Sequence, residues 1–204
     1  MDDLITKTEK FMKDKIKSII QASIEVKKKV LEDEVFAETT EAIVTAMVKA
    51  LKKGCHIYFC GNGGSAADAQ HLAAELSGRF YNDRHALKAE ALHCNTSYLT
   101  AVANDYDFDM IYARLIEGIG DPGDVLIGLS TSGNSENIFR AFEIAKKKEM
   151  TTIGFTGASG GRIKSLCDYL INIPSTDTPR IQESHILLGH IICQLVEEKF
   201  FQNS

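Results

Sequence analysis

A chain of 204 residues, 44% hydrophobic and 25% charged, has the composition of a globular protein with a sizeable core. Its formal net charge of −5 leaves no basic surplus to neutralise phosphates, which argues against a general nucleic-acid binder. No run reaches membrane-span length, the charged N-terminus lacks a signal-peptide core, and Cys55, Cys60, Cys94, Cys167 and Cys193 show no metal or redox spacing. The expectation is a cytoplasmic protein with buried free thiols and no membrane partner.

Residues 3–53 carry no strand signal. Leu4, Phe11, Met12, Ile16, Ile19 and Ile20 recur at helical spacing, followed by Ile24, Val26, Val30 and Leu31. A second periodic run, Val35 to Leu51, closes on Lys52-Lys53-Gly54. Two helices thus precede the first strand, and an oligomer contact is the use they suit. His56 to Cys60 reads as a strand, the loop from Gly61 follows, and Ala66 to Leu76 is an Ala-rich helix. Ser77 to Lys88 is a polar excursion, and Ala89 to Cys94 a second strand. Ser97 to Val102 and Met110 to Ile119 read as helices separated by Asn104-Asp105-Tyr106-Asp107. The turn Asp121-Pro122-Gly123-Asp124 launches the buried strand Val125 to Leu129, then a Ser/Gly loop and the helix Glu136 to Lys148. Thr151 to Phe155 and Tyr169 to Ile173 are further strands, with a short helix around Ile163 to Cys167 between them. Pro174 to Pro179 connects to a long apolar helix, Ile181 to Phe201.

Strands alternating with helices predict an α/β fold, a parallel sheet covered on both faces. Residues 1–204 read as a single domain: a helical N-terminal oligomerisation segment over 1–54, then an α/β core and C-terminal helix over 55–204. Ligands in such sheets sit at the carboxyl ends of strands, and two of those ends open into small-residue loops.

The first loop, Gly61-Asn62-Gly63-Gly64-Ser65-Ala66, allows close backbone approach and points a helix N-terminus at an anion. It fits the dinucleotide pattern G-x-G-x-x-A, but the second strand ends at Cys94-Asn95 without the acid that holds a ribose. The second loop offers the hydroxyls of Ser130, Thr131, Ser132 and Ser135, suited to a phosphate. Capping of the following helix is the other use of Ser135. His71 and Glu75, four residues apart, share a helix face and fit a metal pair, an acid/base pair or a surface hydrogen bond. Gln182, His185 and His190 interrupt the apolar final helix and need partners there.

The blocks Phe59 to Ser65, His71 to Leu76, Ala103 to Asp105, Gly123 to Gly128, Ser130 to Ser135 and Arg180 to Glu183 closely resemble bacterial phosphoheptose isomerases, of the sugar-isomerase (SIS) domain superfamily. The resemblance runs from about residue 56 to the end. It implies a single SIS domain with a three-layer, doubly wound, flavodoxin-like sheet of five parallel strands, assembled as a homotetramer with active sites near subunit interfaces. The implied activity converts sedoheptulose 7-phosphate to D-glycero-D-manno-heptose 7-phosphate through an enediol. Carried over by position, Asn62, Gly63, Gly64, Ser65, Asn104, Asp105 and Gln182 contact the sugar, and Ser130, Thr131, Ser132 and Ser135 its phosphate. His71, Glu75, Gln182 and His190 match ligands of one zinc ion per subunit, and Glu75 and His190 the acid/base pair. His185 matches no site position, and Pro179 stands where some members have a sugar-contacting aspartate. A non-catalytic relative that binds the bacterial replication initiator lacks the equivalents of Glu75 and His190. An isomerase or sensor of another phosphosugar is the remaining alternative.

Overall fold

The computed structural model describes residues 2–202, with side chains from Lys10 onward, so the Leu4 side chain lies outside the described residues. Two helices come first, α1 (Asp2–Glu32) and α2 (Glu34–Lys52). Asp33 separates them, its carboxylate accepting a hydrogen bond from Val35 N at 3.0 Å and capping α2. The C-terminal half of α1 is tied to the last helix, α7 (Thr178–Phe201). Ser23 Oγ donates to Glu183 at 2.6 Å, and the Arg180 guanidinium donates to the Ile19 carbonyl at 3.0 Å. Val26 of its apolar stripe is buried in the core and Val30 packs against it, but Phe11, Met12, Ile16, Ile20 and Leu31 are exposed, Leu31 to 83%.

Strands β1 (Ile57–Gly61), β2 (Ala89–Ala91), β3 (Val125–Leu129), β4 (Thr151–Thr156) and β5 (Tyr169–Asn172) form one parallel sheet in the order β2-β1-β3-β4-β5. Side chains alternate across it as the period of a strand dictates. Ile57, Phe59, Val125, Ile127 and Leu129 face one apolar cluster with α2, α7 and α3 (Gly64–Ser77). Tyr58, Cys60 and Leu126 face the other with α4 (Thr96–Asp105), α5 (Ile111–Ile119) and α6 (Glu136–Lys147). The expected three-layer, doubly wound architecture is what the chain forms.

Four expectations need correction. The second strand stops at Ala91: Leu92 still donates to the Phe59 carbonyl at 2.9 Å, but the chain then turns, Cys94 N closing on the Ala91 carbonyl. Asn104 and Asp105 are not a spacer but the last turn of α4. Pro179 lies in the first turn of α7, where its missing N–H leaves no helical bond unmade. Among the five free thiols only Cys60 and Cys193 are buried, and Cys94 is exposed.

His185 is part of the core. Its Nε2–H donates to the Thr156 carbonyl at 3.0 Å, while Nδ1 is buried without a partner. Burial pushes the imidazole down to about 4, only partly offset by the bond to Thr156. An unfolded histidine titrates near 6.5, so between about 6.5 and about 4 the unfolded chain binds a proton that the folded chain refuses. This contribution to stability is complete above about pH 6.5 and declines as the pH falls, by up to about 1.4 kcal/mol per unit. Urea midpoints at pH 7.5 and 5.0 will converge in His185→Gln relative to the parent; an unchanged difference would remove His185 from the acid response.

Candidate active site

The order of the strands places the site. β1 and β3 are neighbours, but the crossover from β1 leads out to β2 and that from β3 leads out to β4, so a crevice opens between their carboxyl ends. Gly61 and Leu129 are register partners, and both loops leave the sheet at one level.

In the first loop Gly63 has φ +55°, left-handed backbone that glycine accepts readily, and turns the chain into α3. Its neighbour Gly64 is a point of close approach: a Cβ there would lie 2.7 Å from Gln182 Nε2 and 2.9 Å from its Oε1. The amide of Gln182 on α7 therefore lies against the start of α3. Ser65 is buried in the first turn of α3, its N–H on the Asn62 carbonyl at 3.0 Å. Buried Tyr112 braces the loop from beneath, its hydroxyl donating to the Gly61 carbonyl at 2.5 Å. Burial raises its pKa and keeps it a donor.

In the second loop Ser130 is buried and shares a 3.0 Å hydrogen bond with the Ser135 hydroxyl. Ser135 stands at the N-cap of α6 but makes no capping bond with its side chain, so the capping alternative does not hold. Ser132 Oγ accepts from Asn134 N at 3.1 Å, and the Thr131 carbonyl accepts from Gly157 N at 2.9 Å. The hydroxyls therefore line a loop tied to its neighbours at the positive end of a helix.

The third group is the one with chemistry. His71 and Glu75 on α3 meet His190 on α7, with their ligand atoms all within 4.8 Å of one another. His71 Nε2 is 2.8 Å from His190 Nε2 and 3.2 Å from Glu75 Oε1. Gly189 lets the helices approach closely: a Cβ there would stand 2.5 Å from Leu72 Cδ1, so any side chain would force Leu72 to move. Two imidazole nitrogens and a carboxylate oxygen are a donor set that suits zinc and similar divalent cations, and their half-exposed position leaves room for a further ligand.

The structure brings His71, Glu75 and His190 together, puts Gln182 against Gly64, and pairs Ser130 with Ser135. Asn104 and Asp105 are exposed at the end of α4, and their side chains bond each other at 2.8 Å. The Asn62 amide is also engaged, in a reciprocal pair with Asn137, both bonds at 2.9 Å. Asn137 is buried and joins the two loops, and no sequence signal marked it. Asp68, one turn before His71, was missed too. One of its oxygens is buried and unpartnered; burial raises its pKa while His71 and His190 pull it back.

A family model described as the SIS domain matches residues 18–157. Phosphoheptose isomerase of Clostridium acetobutylicum is 52% identical over 190 residues, 93% of this chain and 97% of that protein. Among solved structures, phosphoheptose isomerase from Neisseria gonorrhoeae gives a TM-score of 0.86 at 39% identity, covering 92% of this chain and 99% of that one. The enzyme from Francisella tularensis gives 0.87 at 35%, with 91% and 97% covered. The sheet order, the two loops at its switch point and these likenesses converge: the chain belongs to the phosphoheptose isomerase family of SIS-domain proteins.

Proposed function

We propose that this chain isomerises sedoheptulose 7-phosphate to D-glycero-D-manno-heptose 7-phosphate, for the synthesis of nucleotide-activated heptose. The observation that carries the reading is the cluster of His71, Glu75 and His190 in a fold whose adjacent strand end holds a hydroxyl loop. The phosphate sits on Ser130, Thr131, Ser132 and Ser135, and the sugar reaches the loop of Asn62, Gly63, Gly64 and Ser65. Asn62 presents its backbone there, because its amide is committed to Asn137. Asn104 and Asp105, exposed at the end of α4, offer polar side chains to the sugar.

Glu75 takes the proton from C1 of the ketose, giving an enediol, and the proton returns at C2 to give the aldose. His190 carries the other proton between the two oxygens. Glu75 suits its part because one oxygen faces His71 at 3.2 Å and a carboxylate has a second to offer. His71, Glu75 and His190, with Gln182, would hold one zinc ion. Bound zinc supplies Lewis acidity at the substrate oxygens.

The exposed stripe of α1 is the main support for a homotetramer. It continues into a groove of about 500 Å³ lined by Val30, Leu31, Phe36, Leu187 and Ile191. Its uncovered apolar surface is of the kind that other copies bury. Among the described residues no helix is long and apolar enough to cross a membrane.

The test is conversion of sedoheptulose 7-phosphate by purified protein, before and after chelation and again with zinc restored. Turnover lost on chelation and regained with zinc is the expected result. A folded tetramer that binds the sugar phosphate without converting it sinks the reading and favours the non-catalytic alternative.

A further inference from the structure

Between α3 and β2 the chain makes a polar excursion, residues 78–88, that the reaction as described does not use. Its conformation is nonetheless closely fixed. The Glu197 carboxylate on α7, 1% exposed, accepts five hydrogen bonds from this segment. They come from the N–H groups of Phe80 (3.3 Å), Tyr81 (3.0 Å) and Asn82 (2.9 Å), the Asn82 side chain (3.1 Å) and Arg84 Nε (2.8 Å). Burial pushes the Glu197 carboxyl up, but these donors outweigh it and hold the pKa below the usual carboxylate range. The remaining nitrogens of Arg84 donate to the carbonyls of Glu75, Leu76 and Gly78, each at 2.8 Å, closing the last turn of α3.

Glu197 follows His190 by two turns on α7, on the same helix face. Arg84 grips α3 at Glu75 itself. One ion pair thus sets the spacing of the two helices that carry the acid/base residues, and it also fixes where Phe80 lies. The Phe80 ring stacks on the His190 imidazole, centroids 5.9 Å apart and planes 21° from parallel. At its Nε2 edge His190 meets His71, centroids 5.0 Å apart and planes 72° from parallel. An imidazole is free to swing about its terminal torsion, which is broad and only weakly staggered. A flat ring against one face removes that freedom and leaves Nε2 aimed at the cluster.

We propose that Phe80 is a positioning residue for the isomerisation, holding the His190 ring in its working orientation from a platform built by Arg84 and Glu197. The proposal rests on His190 acting as an acid/base group, and the experiment separates the two. Sedoheptulose 7-phosphate kinetics are measured on the parent, His190→Gln, Phe80→Leu and Phe80→Tyr, each with zinc present and its Tm recorded. Leucine keeps apolar bulk without a flat face, and tyrosine restores the face. The expected result is a kcat about tenfold lower in Phe80→Leu, with KM within about twofold and Tm close to the parent's, and near-parental kcat in Phe80→Tyr. Parental kcat in Phe80→Leu, a loss that tyrosine fails to rescue, or a fall in Tm without a fall in kcat overturns the positioning role. Parental turnover by His190→Gln instead overturns the acid/base reading beneath it.

Discussion

Glu75→Gln will lower kcat for sedoheptulose 7-phosphate by about 10²- to 10⁴-fold, the range for removing a positioned proton-transfer group. The substitution is nearly isosteric, so the amide can keep the place of the carboxylate beside His71, at 3.2 Å in the parent, but it cannot accept the C1 proton. Steady-state kinetics at saturating sugar isolate that step, and KM is expected to move by only a few fold because the hydroxyl loop proposed to hold the phosphate follows a different strand. Two controls make the result specific: the variant must bind added zinc as the parent does, since Glu75 is a proposed ligand, and it must keep the parent's oligomeric state. A metal-loaded Glu75→Gln that turns over within tenfold of the parent would mean that the base is another residue.

Arg84→Met will destabilise the folded chain by about 3–5 kcal/mol, the scale for removing one partner of a buried ion pair. The Arg84 and Glu197 side chains are 4% and 1% exposed, so solvent does little to screen what remains. Methionine keeps the length and the apolar stem, which isolates loss of the guanidinium. Three carbonyls at the end of α3 lose their donor in the same stroke. Urea unfolding at pH 7 measures the effect. A loss below about 1 kcal/mol would show that the backbone donors of Phe80, Tyr81 and Asn82 satisfy Glu197 by themselves. The sign of the pH dependence follows from the lowered pKa of Glu197: its contribution is present above the unfolded carboxyl value and fades as the pH falls through the folded one.

Much of this molecule was legible from local pattern. Val125 to Leu129, bounded by an Asp-Pro-Gly-Asp turn and a Ser/Gly loop, is observed as a strand with those ends. The two N-terminal helices and the long α7 followed from period and from their flanking glycine and proline. The site residues on α3 were legible because His71 and Glu75 sit four apart on one helix, where geometry is nearly determined. What stayed hidden depends on partners far away in sequence. Asn137 looks like any polar residue in a first turn, and its partner Asn62 is 75 positions distant. Glu197 stands in the charged run Glu197-Glu198-Lys199, yet it is buried against Arg84, 113 positions before it. Asn104 and Asp105 misled in the opposite sense: their turn propensity is real, but they spend it closing a helix. The edge strand β2 pairs on one side only, so three residues suffice where six were expected.

The uncovered stripe on α1 has a consequence for how the enzyme behaves as a population. In the proposed tetramer a helix about 46 Å long, whose described ties to the rest of the chain lie in its C-terminal half, would draw much of its stability from other copies. Folding of that helix and assembly would then be linked equilibria governed by mass action, so the protein's resistance to unfolding would depend on its own concentration. In a cell that makes little of it, abundance and durability would rise and fall together.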